Sequence, residues 1–345
     1  MLAATVVPGS AASLRIDHLE DPAPGQGAVL VRALALGVCA TDRELIEGHY
    51  GEAPEGRSRL VIGHESLGEV LSAPPGSGLR AGARVVGIVR HPDPVPCGYC
   101  ALGEWDMCSN GRFTERGIKQ ADGFGAERWR ADPAFLVPVS AALGLAGVLL
   151  EPASVVAKAW EHIERMARRS RRVPQTVLVT GAGPVGLMAA LLAAQRRLEV
   201  HVLDRNEQGP KPALVRALGA RHHLRFPDLQ PDVVVECTGA APVIKEAIER
   251  SGPGAIICLT GLGKPKGPLS LDVAAFNDSM VLGNRVVLGS VNANLRHYRQ
   301  ALEALETADR GWLEQVITRK VRPQDWTAAY EHRAGDVKTV VIFED

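Results

Sequence analysis

A short strand that enters a glycine-rich turn and leaves it through a helix sets the architecture of this chain. Thr176–Thr180 is a β-branched run, Gly181-Ala182-Gly183-Pro184-Val185-Gly186 follows it, and Val185–Gln195 reads as a helix. In such a turn the first glycine permits the tight bend and the second lets backbone approach a pyrophosphate. The third lets helix and strand pack closely. The helix N-terminus then offers N–H groups and a partial positive charge to phosphate. Alone the spacing is weak; the continuing alternation strengthens it. Strands are predicted at Glu199–Leu203, Asp232–Glu236, Ala255–Thr260 and Val286–Gly289, with helices at Pro212–Leu218 and Val243–Glu249. That order predicts a parallel, doubly wound sheet. Asp204 ends its second strand, where a carboxylate binds adenosine ribose hydroxyls and repels a 2′-phosphate. NAD is therefore favoured. Arg205 could pair with a 2′-phosphate, which leaves NADP open, or it simply faces solvent or stacks on adenine.

The first ~150 residues are of another kind, rich in glycine, proline and short apolar runs. Val29–Leu36 and Arg84–Val89 read as strands, Pro74-Pro75-Gly76 and Gly82 as turns, so a mostly β region is expected, with the shape of a partly open barrel. Within it stand Cys39 and the run Gly63-His64-Glu65. A thiolate, an imidazole and a carboxylate are good zinc ligands, and three of them leave a fourth position open for substrate. A lone cysteine is more often a small buried hydrophobe; the joint occurrence with Glu151-Pro152 shifts the balance. Of the six cysteines, Cys97, Cys100 and Cys108 fall within twelve residues, a spacing that suits metal better than disulfides.

Ser154–Arg169 has helical periodicity and ends in the basic run Arg168-Arg169-Ser170-Arg171-Arg172, which reads first as a solvated linker and second as an anion site. Arg296–Glu306 is a further helix and Val340–Phe343 a last strand. With 345 residues, 46% of them hydrophobic, the chain has core enough for two domains. Basic and acidic residues balance at 39 each, which argues against nucleic-acid and membrane partners. The longest clean apolar run, Ala141–Leu150, is too short for a bilayer, and the first residues lack a basic leader, so a cytoplasmic protein is expected.

Cys39-x-Thr41-Asp42, Gly63-His64-Glu65-x-x-Gly68, the cysteine cluster, Glu151-Pro152 and the nucleotide loop occur in the order found in zinc-dependent medium-chain dehydrogenase/reductases, and the chain resembles that family over nearly its whole length. The resemblance implies an α/β protein: a GroES-like, mostly β catalytic domain over 1–152, a Rossmann NAD(P)-binding domain over 153–290, and a C-terminal segment, 291–345, returning to the catalytic domain. It implies catalytic zinc on Cys39, His64 and Glu65, with Glu151 as an occasional or water-mediated ligand, and Thr41 passing the substrate proton toward the cofactor ribose. Where some relatives complete that relay with histidine, this chain has Glu44. Cofactor contacts are implied at Gly181, Gly183, Pro184, Val185, Gly186, Asp204, Arg205, Thr238, Leu262 and Asn292. Cys97, Cys100 and Cys108 resemble a structural-zinc lobe whose first cysteine would fall at Pro94; Asp93, His91, Glu104 and Asp106 are candidate fourth ligands, and a metal-free lobe is the alternative.

Within the family, Phe113-Thr114-Glu115-Arg116-Gly117-Ile118 and Gly289-Ser290-Val291-Asn292-Ala293-Asn294 are similar to glucose 1-dehydrogenases. That implies hydride transfer from C1 of an aldose, with an aldonolactone as product, and sugar contacts at Glu115, Glu151 and His297. The bland readings are a surface pair of Glu115 with Arg116 or Arg112, and His297 as a helix cap. A zinc enzyme acting on another polyol, cyclitol or secondary alcohol is the first competitor. A non-catalytic nucleotide-binding sensor or scaffold is the second, and the intact ligand set with Thr41 argues against it. Relatives form homodimers or homotetramers, and the outer edge of the nucleotide-binding sheet could pair across a two-fold axis.

Overall fold

A computed structural model describes residues 1–263, 270 and 272–343. They divide into two compact units, one formed by Met1–Ser154 with Asn292–Asp345, the other by Val155–Val291.

The first unit is built on a seven-stranded sheet. Its path runs Leu136–Pro138, Arg84–Gly87, Glu65–Ser72, Val29–Val38, Lys338–Ile342, Ile317–Val321, and Arg128–Ala131 also pairs with Val29–Val38. A three-stranded sheet with Leu2–Val6 at its centre and a small sheet containing Arg90–His91 and Thr114–Arg116 complete the β structure. Val29–Val38 alternates around Arg32 before becoming continuously buried, as expected of a central strand. Leu36, Leu45, Ile62, Phe124, Trp129 and Trp326 meet in one core, each large side chain contributing about 1.5–3 kcal/mol by leaving water.

Two registers position the chemistry. Gly37 lies opposite Glu65, and on its other side Val340 lies opposite Gly37. A Cβ at Gly37 would come within 2.1 Å of Glu65 Oε2, so glycine there makes room for the carboxylate. The second register sets Arg90 directly opposite Glu115.

The second unit holds a six-stranded, wholly parallel sheet in the order Arg221–His223, Glu199–Leu203, Thr176–Thr180, Val233–Glu236, Ile256–Leu259, Val286–Gly289. Thr176–Thr180 lies at the point where the strand order reverses, the usual ligand position in such sheets. Pro184–Gln195 is buried from Gly186 to Ala193. The edge strand Arg221–His223 and the helix Val273–Gly283 were not anticipated; the first is charged and short, the second lacks any buried face among its residues.

The helix expected from Ser154 begins four residues earlier and spans Leu150–Ala167, with Pro152 in a first turn that needs no N–H there. Together with Ala141–Leu149 it makes a stretch of 27 residues, long and apolar enough to cross a membrane, so the apolar segment is longer than the run Ala141–Leu150 suggests. Its most apolar window is 67% buried inside the protein, as befits a core helix.

Candidate active site

Cys39 follows the central strand directly and caps the helix Ala40–Ile46. Its N–H donates to Asp42 Oδ2 at 2.8 Å, a reciprocal cap that fixes the direction of the thiol. Asp42 is fully buried, and its other oxygen lies 3.4 Å from His64 Nδ1. One carboxylate thus steadies two neighbours. Burial opposes a charge on His64, but the Asp42 carboxylate, helped by Cys39, outweighs it and raises the imidazole pKa well above its usual value.

The sulfur of Cys39, a ring nitrogen of His64 and a carboxylate oxygen of Glu65 lie within 4.8 Å of one another. Zinc bond lengths of about 2.0–2.3 Å require ligand atoms about 3.3–3.8 Å apart in a tetrahedron. Side-chain shifts of about 1 Å therefore close the set, and a carboxylate behind a histidine ligand is the usual support for zinc. The residues fit a zinc ion.

Lys338 adds a feature the sequence did not signal. Its ammonium donates to Glu65 Oε1 at 2.7 Å, also to Oε2, and to the Val38 carbonyl at 3.1 Å, and both side chains are 1% exposed. Burial alone would lower the Lys338 pKa, but Glu65 more than offsets it and the net shift is upward. A carboxylate has about four lone-pair sites, so Glu65 can hold Lys338 and still face a metal. Glu151, in the first turn of Leu150–Ala167, lies outside the close trio. Burial pushes its pKa up to about 7, His64 and Lys338 work against this, and Glu65 and Asp42 add to it. Thr41 Oγ1 lies 3.9 Å from Cys39 Sγ and is partly exposed, as is Glu44.

Glu115 is not on the surface. It is 5% exposed, and its Oε1 accepts from Arg90 Nε at 3.0 Å, Arg90 Nη2 at 2.8 Å and Asn292 Nδ2 at 2.6 Å. The partner is Arg90, not Arg112 or Arg116, because the strand register sets it opposite. Arg116 instead donates to the Arg130 carbonyl. Phe113 lies under the Arg90 guanidinium, 3.8 Å from it. Asn292, implied as a cofactor contact, reaches Glu115 and has a left-handed φ of 61°. His297 is the residue expected as a further sugar contact. The ring is wholly buried, and its Nδ1 accepts the Asn294 N–H at 3.2 Å, closing the cap of Leu295–Thr307.

The sulfurs of Cys97, Cys100 and Cys108 also lie within 4.8 Å of one another. The N–H groups of Ser109 and Cys100 draw the Cys97 thiol down to about 5, while burial pushes Cys100 up to about 11. Three of the candidate fourth ligands are engaged elsewhere. His91 Nε2 faces the Ile88 carbonyl and its ring stacks on Phe135. Asp106 accepts from Asn294 at 2.6 Å, and Glu104 lies 3.8 Å from Arg296. Asp93 is joined to the lobe through Asn110, which donates to it at 2.6 Å and accepts from Cys108 at 2.9 Å.

In the second unit, Gly181 bends the chain with φ 88° and Gly183 precedes the helix that Pro184 opens, with Val185 in its first turn. A Cβ on Gly186 would stand 1.8 Å from the Gly181 carbonyl oxygen. Asp204 Oδ2 accepts the Ala182 N–H and Oδ1 the Asn206 N–H, both at 2.9 Å. Burial opposes ionisation there, but these N–H groups prevail and lower its pKa. Lys211 lies 4.0 Å away, and Arg205 is exposed. Thr238 bonds to the buried Glu236 and lies against Gly181; Leu262 is 76% exposed.

The family model "Alcohol dehydrogenase GroES-like domain" matches residues 25–141, and "Glucose dehydrogenase C-terminus" matches 144–343. The chain is 39% identical to a glucose 1-dehydrogenase of Thermoproteus tenax and 37% identical to one of Methanocella arvoryzae, each over 99% of both chains. It superposes on the Haloferax mediterranei glucose dehydrogenase solved with NADP, Zn and gluconolactone with a TM-score of 0.92, at 28% identity over 100% of both chains. With a GroES-like β unit carrying the thiolate–imidazole–carboxylate set and a Rossmann sheet carrying the glycine loop, the chain belongs to the glucose 1-dehydrogenase family of zinc-dependent medium-chain dehydrogenase/reductases.

Proposed function

We propose that this protein oxidises C1 of an aldose such as D-glucose, transfers the hydride to NAD or NADP, and releases the aldonolactone. The observation that carries the reading is the convergence of Cys39, His64 and Glu65 in a chain matched end to end by glucose 1-dehydrogenases. Held by these three, with Glu151 electrostatically coupled to His64 and Glu65, zinc would supply the Lewis acidity that lowers the pKa of the anomeric hydroxyl. NAD or NADP, bound at Gly181, Gly183 and Gly186 with its ribose at Asp204, would supply the hydride acceptor.

The chain's own residues do the rest. Asp42 orients Cys39 and His64. Thr41 Oγ1 takes the hydroxyl proton and hands it outward. Glu115, fixed by Arg90, accepts hydrogen bonds from sugar hydroxyls, and a pocket of such groups rejects analogues that leave them unpaired. Cys97, Cys100 and Cys108 are proposed to hold structural zinc with Asp93 or Asn110 closing the set. We place the reaction in the cytoplasm, and the assembly as a homodimer or homotetramer paired through the edge strand Val286–Gly289, near which Val281 and Leu282 are exposed.

The test is reduced-cofactor formation by zinc-loaded protein with D-glucose, run in parallel with NAD and NADP. Turnover with lactone as product supports the reading. Absence of turnover with glucose, alongside turnover of a polyol or cyclitol, replaces the sugar with that substrate.

A further inference from the structure

The run Arg168–Arg172 is exposed, as a solvated linker would be, and it has a concave neighbour. It borders a cavity of about 480 Å³ lined by Arg169, Ser170, Arg172, Asp232, Gly254 and Asn284. A second recess of about 370 Å³, lined in part by Arg168, Arg172 and Arg196, adjoins it. The cavities lie where strands Thr176–Thr180, Val233–Glu236 and Ile256–Leu259 begin. The glycine loop lies where the first of these ends, five residues further, or about 16 Å. The place is therefore separate from the cofactor loop within the same unit.

The charge there is only partly compensated: Arg172 is paired with Asp232, and Arg169 bonds only to a carbonyl. The one carboxylate in the cavity, Asp232, is already satisfied: Oδ1 pairs with Arg172 at 2.9 Å, and Oδ2 accepts from Gln175 N, Thr176 N and Thr176 Oγ1 at 2.8–3.2 Å. Glu164 is taken by Arg196 at 2.7 Å. Arg169 gives one N–H to the Gly254 carbonyl at 2.8 Å and has further N–H donors to offer. Among the described residues, the carboxylates nearby pair with other arginines: Glu161 with Arg165, Glu164 with Arg196 and Asp232 with Arg172. Guanidinium forks around a concave site suit a phosphate group, which they bind bidentately. The volume suits a small molecule rather than a duplex.

We propose that this cavity binds a phosphorylated metabolite of about nucleotide size, its phosphates held by Arg169 and Arg172, with Arg168 reaching from the adjoining recess. The probe is inorganic pyrophosphate, titrated by calorimetry into the full-length protein and into Arg168→Gln/Arg169→Gln, with NADPH binding measured by fluorescence as the control for the glycine loop. The expected result is submillimolar binding that falls by about tenfold or more in the variant, with NADPH binding unchanged. Arg169→Lys, which keeps the charge but not the fork, should also lose affinity and serves if the double variant folds poorly. Failure of pyrophosphate to bind, equal binding by the variants, or tighter binding of a 20-base-pair DNA duplex would each overturn the proposal, the last by making the ridge a nucleic-acid surface.

Discussion

Replacing Lys338 by methionine isolates the buried pair behind the metal centre. Both partners are 1% exposed, and the ammonium reaches both Glu65 oxygens and the Val38 carbonyl. Methionine has similar length and no charge, so it leaves the buried Glu65 carboxyl without the ammonium that faces it. Breaking a buried pair from one side costs about 3–5 kcal/mol. In zinc-free protein, urea unfolding of Lys338→Met should therefore show a loss of that size. High salt should not erase it, because a buried pair is poorly screened. Zinc supplies a positive charge next to the same carboxylate, so the loss should shrink when the metal is bound. The double variant Glu65→Gln/Lys338→Met should recover part of the stability. A loss below about 1 kcal/mol would mean that Glu65 finds water or another partner, and the account of a dry pair would fail.

Cys39→Ser should lower zinc content at the catalytic site and reduce turnover by at least about a hundredfold, checked by metal analysis and steady-state kinetics; normal turnover refutes the ligand assignment. Glu115→Ala should raise KM for the sugar and lower kcat, and Arg90→Met should do the same more weakly, because Arg90 acts by fixing Glu115; unchanged constants for both would return the pair to a structural role. Burial lowers His91 to about 4, against about 6.5 in the unfolded chain. Between those values the unfolded chain binds a proton that the folded one does not, so stability is lost as pH falls through this window, on the order of 1–3 kcal/mol. Denaturation from pH 7 to 4 should show a smaller acid loss in His91→Phe; identical slopes would refute it.

The parts legible in the sequence are those carried by local pattern. The glycine loop, its flanking strand and Asp204 lie within one continuous stretch whose periodicity switches from strand to helix and back. Cys39, His64 and Glu65 could be named because their donor chemistry is distinctive, and they meet in space because Gly37 pairs with Glu65. Asp42 carries a readable signal, an acid three residues after the cap. Lys338 carries none: it reaches Glu65 only because the last strand pairs with Val29–Val38, some 300 residues away in sequence. The same limit explains Glu115, whose partner is set by a register between Arg90 and Glu115 rather than by sequence neighbours. His297 shows a local rule at work, since the helix start after Asn294 places an N–H on its ring.

The central claim is hydride transfer from C1, and the direct test uses D-glucose deuterated at C1 with zinc-loaded protein and NADP or NAD. The account predicts deuterium on the nicotinamide ring of the reduced cofactor, unlabelled lactone, and loss of both when the catalytic zinc is removed. Reduced cofactor without deuterium, or turnover that survives removal of the metal, would contradict it.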